Sequence, residues 1–230
     1  VENSGNEDVK QTIEKMRVDY KQMERIYDNY VGELDVYDLN DQDKIILKMA
    51  RIFGECEVNV PEDFYKEVKD YIRAWQSSPR LEQAISRAKE SGKDKIIVHE
   101  FMNQHLPPQF YFLALQESSF KQDAVGPITR YGYAKGIWQF IPSTAERYGL
   151  KVGPLSNNNS FDPHDERFDF PKATNAAARY IKDIFNTDAQ ASGLLVIASY
   201  NWGEGNILNL IRQMPENPRD RNVWNLLVNY

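Results

Sequence analysis

The sequence predicts an all-α protein. Apolar residues recur at helical spacing in one segment after another, short polar joints separate the segments, and no stretch alternates convincingly between apolar and polar residues. With 230 residues, of which 41% are hydrophobic, the chain is long enough to bury a sizeable core. We therefore expect one large helical domain, or a helical domain with an accessory segment.

The N-terminal segment carries an apolar stripe whose members lie alternately four and three residues apart over nearly four heptads. The stripe consists of Val9, Ile13, Met16, Tyr20, Met23, Tyr27, Tyr30 and Leu34. One interpretation is a coiled coil that binds a protein partner. The other is a long amphipathic helix lying on its own domain, which the three tyrosines favour because coiled-coil seams prefer Leu, Ile and Val.

Four helices are predicted between this stripe and residue 105. They cover about residues 41–54, 60–75, 78–91 and 93–105. Pro61 is expected in the first turn of the second of them, where its missing N–H costs nothing.

Helical spacing continues to residue 214 with two interruptions, of which the second is the polar loop "GPLSNNNSFDPHDERF" (153–168). Helices are predicted in "FYFLALQESSF" (110–120), "PSTAERYGL" (142–150), "DFPKATNAAARYIKDIFN" (169–186) and "SGLLVIASYNWGEGNILNLIRQM" (192–214). Between the first two, Gly126, Pro127, Gly132 and Gly136 predict an irregular loop.

Charge and composition exclude several function classes. The net charge of −6 argues against a nucleic-acid partner, which would require clustered Lys and Arg. Cys56 is the only cysteine, so no intrachain disulfide is expected. No apolar run is long enough to span a membrane, and the first residues lack both an initiating Met and a signal-peptide pattern, so we expect a trimmed chain.

The histidines do not form a metal motif. His99 and His105 are six residues apart and point about 240° away from each other on a helix, and only His164 remains. We expect no metal and no cofactor. A serine-nucleophile elbow and a phosphate-binding glycine loop are also missing from the sequence.

Glu117 is the candidate for acid chemistry. It ends an apolar and aromatic run, and such neighbours can raise the pKa of a carboxyl group enough to keep its proton near neutrality, as a general acid requires. The alternative is a glutamate that faces solvent at a helix end.

Three short segments place Glu117 in a wider pattern. Glu117 and Ser118, then "GIWQF" with Gln139, then "SYN" with Tyr200 and Asn201, follow each other at helix or loop boundaries. This order resembles the soluble family-1 (SLT) lytic transglycosylase domain over about residues 100–213. The resemblance implies a lysozyme-like fold, α+β at most, that cleaves peptidoglycan. We expect a helical accessory region in residues 1–100 and the lysozyme-like domain in residues 101–230.

The resemblance also implies roles for single residues. Glu117 matches the family's sole catalytic acid, and the substrate-binding positions are matched by Ser118, Gln139, Ser199, Tyr200 and Asn201. Ser199 stands where the family's motif has alanine, a change that a backbone contact tolerates.

Two positions depart from the family's pattern. Gly126 stands where members often have a serine near the reacting sugar, so Thr129, Tyr131 and Tyr133 become the candidates for loop contacts with substrate. The tyrosine of a C-terminal family motif is matched only loosely by "RDRNVWNLLVNY".

The implied reaction needs one carboxyl group and yields 1,6-anhydromuramic acid ends, with glycan strands as the partner and a bacterial periplasm or cell envelope as the location. A hydrolytic lysozyme of goose type is one alternative, with Asp123, Asp162 or Asp165 as its second acid. A weakly active binding or assembly module, joined to a protein partner through the N-terminal helix, is the other.

Overall fold

The computed structural model describes residues 2–33, 39–55, 60–217 and 220–229. The chain divides into two compact units, residues 1–45 and 46–230. The predicted boundary between residues 100 and 101 is a different division, and it stays a prediction.

The first unit contains the predicted long helix, α1, which covers Glu2–Glu33. Exposed stripe residues on it are Ile13, Met16, Tyr20, Met23 and Tyr27. Leu34 lies outside the described residues, as do the side chains of Val9 and Tyr30. The helix itself is confirmed, and what covers its stripe stays a prediction.

The next four helices agree with the ranges that their spacing predicts, except that α3 extends one residue further, to Gln76. They are α2 (Asp41–Ile52), α3 (Glu62–Gln76), α4 (Arg80–Glu90) and α5 (Lys93–Asn103). Asn40 caps α2, since its side-chain oxygen accepts a hydrogen bond from the Asp43 amide at 3.0 Å. Pro61 is the N-cap of α3 and lies one residue before its first turn.

The remaining elements of the second unit are short helices and two strands. They are α6 (Tyr111–Ser118), β1 (Val125–Thr129), β2 (Gly132–Lys135), α7 (Pro142–Arg147), α8 (Phe170–Phe185), α9 (Gly193–Trp202), α10 (Glu204–Ile211) and α11 (Val223–Asn229). Gly203 separates α9 from α10. Within the described residues the protein is therefore mostly α-helical with one small sheet, and the predicted fold class is confirmed.

The prediction of an irregular loop around Gly126 and Gly136 was wrong. The segment is an antiparallel hairpin in which Thr129 pairs with Gly132 and the register shifts between Val125 and Ile128. Two properties hide these strands from sequence patterns. They are only five and four residues long, and β1 contains Gly and Pro, which are poor strand formers.

The helix α11 is a second element that periodicity does not predict. Its seven residues are too few to establish a helical repeat. Val223 and Trp224 are nevertheless buried at its start, and the Asn222 side chain accepts a hydrogen bond from the Asn225 amide at 2.8 Å. Packing and capping, not a helical repeat in the sequence, therefore stabilise this helix.

The helix α8 lies at the centre of the core and contacts α5 and α9. Its inward face is lined by small residues, so the neighbouring helices can approach closely. Fully buried residues on this face are Ala173, Ala176, Ala177, Ala178, Ile181 and Ile184. Trp138 is also fully buried and donates from its indole nitrogen to the Thr174 hydroxyl at 3.1 Å. The core thus anchors the turn before Gln139.

Among the described helices, none combines the length and the apolarity that a membrane crossing requires.

Candidate active site

Glu117 lies in the last turn of α6 and is mostly buried. Burial raises the pKa of its carboxyl group to about 7, because the desolvated ionised form loses its hydration. A carboxyl group with this pKa is about half protonated at neutral pH. It can therefore both donate and accept a proton there, as general acid and base catalysis requires.

The backbone turn at residues 136–139 is held from two sides. The Ser118 hydroxyl at the end of α6 donates to the Ile137 carbonyl at 2.9 Å. The Tyr200 hydroxyl on α9 donates to the Trp138 carbonyl at 2.8 Å. These two bonds bring the three sequence motifs together around one turn, although they are up to 83 residues apart (200 minus 117).

Gln139 has a backbone φ of 50°, which residues other than glycine rarely adopt. Its side-chain amide donates to the carbonyls of Gly136, at 2.7 Å, and Ala124, at 3.4 Å. Such strain persists only where surrounding contacts over-determine the conformation, and it is concentrated at functional sites.

The side chain of Gln139 occupies the space that a Cβ atom of residue 126 would need. A Cβ atom at residue 126 would lie 2.5 Å from the side-chain oxygen of Gln139, closer than real contacts allow. The serine that the family often has near this position is therefore incompatible with the present position of the Gln139 side chain.

Electrostatics link Tyr200 to Glu117. Burial raises the pKa of Tyr200 well above its usual value, and the charge of Glu117 raises it further. The tyrosine hydroxyl therefore stays protonated and remains a donor to the Trp138 carbonyl.

The neighbours of Tyr200 in the third motif point in different directions, because successive helical residues are about 100° apart. Ser199 is fully buried, and its hydroxyl donates to the Leu195 carbonyl at 2.8 Å. Asn201 is exposed, and its side-chain amide donates to the Ile197 carbonyl at 2.9 Å. A direct substrate contact is thus open to the Asn201 side chain, whereas Ser199 could contribute only through its backbone.

The three candidates for loop contacts with substrate lie in the hairpin, and the contacts of Thr129 and Tyr131 are within it. The Thr129 hydroxyl donates to the Gly132 carbonyl at 2.8 Å and accepts from the Tyr131 amide at 3.1 Å, which closes the turn. Tyr131 is exposed, and the Arg130 guanidinium lies 4.6 Å from its ring centre. Tyr133 is half-buried. In the described part of the chain no hydrogen bond joins these residues to Glu117, and their contact with substrate stays a prediction.

Arg167 is a supporting residue that the sequence patterns did not reveal. It is fully buried, forms a two-pronged ion pair with Asp165 and donates to the carbonyls of Tyr133, at 2.8 Å, and Phe140, at 3.0 Å. It therefore holds the hairpin and the residue after Gln139 together. In the sequence it stands in a polar stretch, where an arginine gives no sign of burial.

Tyr180 on α8 is a second such residue. Its ring centre lies 5.2 Å from that of Tyr200 and 5.1 Å from that of Tyr148. Burial raises the pKa of Tyr180 to about 12. In the sequence it lies in a predicted helix with no motif around it, and only the fold shows that its ring lies beside that of Tyr200.

Two of the three candidate second acids form hydrogen bonds or an ion pair inside the fold. Asp162 is buried and accepts hydrogen bonds from the amides of Leu155, at 3.0 Å, and His164, at 2.9 Å, which lower its pKa. Asp165 is paired with Arg167. In the described ranges, His, Cys, Asp and Glu do not gather in a group of three or more that could hold a metal ion.

Comparison with known proteins identifies a family and several relatives of this chain. The family described as "Transglycosylase SLT domain" matches residues 94–223, which is more than half of the chain. "Membrane-bound lytic murein transglycosylase D" of Escherichia coli (strain K12) is 31% identical over 130 residues, which are 56% of this chain and 26% of that protein. The protein of the same name in Escherichia coli O6:H1 (strain CFT073) has the same identity and coverage.

A protein of Alteromonas sp. (strain M-1), named for tributyltin chloride resistance, is 27% identical over 115 residues, which are 50% of this chain and 49% of that protein. The aligned region thus spans about a quarter of the length of the two Escherichia coli relatives. The family match includes Glu117, Gln139 and Tyr200, and it covers most of the second compact unit. On this match, the chain belongs to the transglycosylase SLT domain family.

Proposed function

We propose that this chain is a peptidoglycan lytic transglycosylase, which cleaves the β-1,4 bond between N-acetylmuramic acid and N-acetylglucosamine. The observation that carries the proposal is the pKa of about 7 at Glu117, beside the turn that Ser118 and Tyr200 hold. The Escherichia coli relatives are murein transglycosylases by name, and murein is peptidoglycan.

In the proposed reaction Glu117 acts twice. Its protonated carboxyl group first gives its proton to the glycosidic oxygen as the bond from that oxygen to the muramic acid breaks. The resulting carboxylate then removes the proton of the muramic C6 hydroxyl, whose oxygen closes onto C1 of the same sugar. The product is a 1,6-anhydro end, and Glu117 regains its proton.

A single carboxyl group is sufficient because the substrate supplies the attacking oxygen. Most glycosidases need two carboxyl groups, whose separation sets the stereochemistry. Of the three candidate second acids, Asp162 and Asp165 are held in hydrogen bonds and an ion pair inside the fold, which supports the one-acid mechanism over hydrolysis by either of them. The exposed Asp123 is the candidate that a hydrolytic alternative would use.

Gln139 and Asn201 are proposed to hold the saccharide. The Ser118 and Tyr200 hydroxyls are engaged by backbone carbonyls, so we assign them the task of fixing the turn that presents Gln139. The cell envelope is the proposed location. Residues 1–100 are proposed as an accessory region, and α1 as one element that meets a protein partner.

Digestion of purified sacculi by this protein and by Glu117→Gln tests the proposal. Mass spectrometry of the released muropeptides should show anhydromuramic ends with the unchanged protein and a loss of at least about a hundredfold in the variant, which cannot give up a proton. Glu90→Gln is the matched control, because Glu90 is an exposed glutamate at the end of another helix.

The fragments released from sacculi distinguish a transglycosylase from a hydrolase and from a binding module. Reducing ends alone would identify a hydrolase. Sacculus binding without release of any fragment would identify a binding module, and equal release by the Glu117→Gln variant would exclude Glu117 as the catalytic acid.

A further inference from the structure

The helix α3 carries an apolar face that the rest of its unit buries only in part, since its residues are half-buried apart from the exposed Tyr71. Phe64, Val68, Tyr71, Ile72 and Trp75 repeat at helical spacing, yet none of the residues of α3 is buried. Tyr71 is 59% exposed. Exposed apolar faces of this kind mark interaction sites more often than single exposed residues do.

This face is one wall of a groove with a volume of about 1030 Å³. Leu81 of α4, Leu115 of α6 and Leu227 of α11 line the groove as well. The ring of Phe64 packs on Trp224 of α11, with ring centres 4.6 Å apart, which fastens α11 beside α3. From Phe64 to Trp75 the wall extends about 16 Å, or about three helical turns.

The charged side chains that line the groove are acidic. Among the described residues that line it, Asp63 and Glu67 are the charged ones, and both are negative. At the other end of α3, the Arg80 guanidinium lies 5.6 Å from the ring centre of Trp75. An acidic edge beside an apolar wall disfavours an anionic glycan or an anionic lipid surface and favours a basic ligand.

We propose that this groove binds an amphipathic helix of a partner protein, with apolar side chains on one face and basic residues beside them. Three turns of apolar wall suit apolar side chains at positions i, i+4, i+7 and i+11 of such a helix. The acids Asp63 and Glu67 would face its basic flank.

The groove lies on the side of α6 that faces away from Glu117. Leu115 and Glu117 are two residues apart on α6, so their side chains point about 200° away from each other. A helix bound at Leu115 therefore leaves the face that carries Glu117 open. Binding at the groove does not require the proposed reaction, and the Glu117→Gln variant should bind the same helix equally well.

Fluorescence anisotropy with two labelled peptides tests the proposal on the full chain. Each peptide is a helix of about 14 residues with leucines at the spacing above. One has lysines on its flanks and the other has glutamates. The lysine peptide should bind at least about tenfold more tightly, because only its charges complement the groove.

Three variants locate the binding site. Val68→Asp, which places a charge on the apolar wall, should weaken binding of the lysine peptide by at least about tenfold. Glu67→Lys should weaken it by about fivefold. Glu62→Lys makes the same change at an exposed position of α3 that does not line the groove, and it should stay within about twofold. Circular dichroism establishes that each variant is folded.

Equal binding of both peptides would overturn the proposal, and so would no binding of the lysine peptide. The same holds if Glu67→Lys and Glu62→Lys have equal effects. Binding of the protein to phosphatidylglycerol vesicles is measured as a further test. Vesicle binding that is lost in Val68→Asp, without peptide binding, would assign the groove to a membrane surface instead.

Discussion

The Tyr200 hydroxyl donates a hydrogen bond to the Trp138 carbonyl, 2.8 Å away and 62 residues earlier in the chain. This bond fastens α9 to the turn that ends in Gln139. Ser118 makes a corresponding bond from α6 to the Ile137 carbonyl. Because Glu117 and Ser118 are neighbours, the same turn sets the position of the candidate acid and of the glutamine.

Tyr200→Phe should lower the free energy of unfolding by about 1–2 kcal/mol, because it leaves the Trp138 carbonyl without its donor. Release of sacculus fragments should fall at the same time, since the turn is less well held. Urea denaturation measures the first effect and the digestion assay the second. Tyr131→Phe is the control for the stability measurement, because this tyrosine is exposed at the hairpin. Equal stabilities of the two variants would contradict the assigned role.

Activity should decrease as the pH rises through about 7. The pKa of Glu117 is raised by burial, so the protonated form that the first step needs prevails below that pH and is lost above it. At one to two pH units above the pKa, kcat/KM should fall by about tenfold per unit. Initial rates of sacculus digestion between pH 5 and 9 measure this dependence. A rate that is constant from pH 6 to 8 would rule out Glu117 as the group that titrates.

Glu117→Gln should stabilise the protein at pH 8 by roughly 1–3 kcal/mol and have little effect at pH 4. The folded-state pKa of Glu117 lies above its unfolded value. The favourable contribution of this group is therefore complete below the unfolded pKa and is lost as the pH rises through the folded one. The uncharged amide avoids that loss. Urea denaturation of both proteins at the two pH values checks the prediction, and a stability difference that does not change with pH would contradict it.

Gly126→Ala should reduce activity more than stability. The added Cβ meets the end of the Gln139 side chain, which can rotate away only by giving up its hydrogen bonds to the Gly136 and Ala124 carbonyls, at a cost of about 1–2 kcal/mol, and then leaves its position in the site. Fragment release and thermal unfolding, measured on the same preparation, separate the two effects. A variant with unchanged activity would show that the position of Gln139 is not required.

Gly136→Ala provides the contrasting control. Gly136 has a φ of 79°, and an added Cβ would collide with the backbone carbonyl of Arg167, which cannot rotate away. This variant should lose more than about 2 kcal/mol of stability. Similar stabilities of the Gly126 and Gly136 variants would contradict the distinction between a side-chain and a backbone neighbour.

Periodicity predicted the long elements because each helix buries one face, and a buried face repeats every three to four residues. The segments from α1 to α10 show that repeat. The hairpin strands, of five and four residues, and α11, of seven, are too short to establish a period, whereas the six-residue α7 was predicted from a longer segment, residues 142–150. Gly and Pro, which predicted a loop around residue 126, also occur in irregular strands such as β1.

The sequence by itself determined the succession of helices, the order of the three motifs and the identity of Glu117 as the candidate acid. The tertiary structure alone decided that Glu117 has a pKa of about 7, because desolvation depends on neighbours from distant parts of the chain. It also decided that Ser118 and Tyr200 hold one turn, and that the Arg167 guanidinium is buried against the carbonyls of Tyr133 and Phe140. These are relations between residues far apart in sequence, and such contacts exist only after the chain has packed.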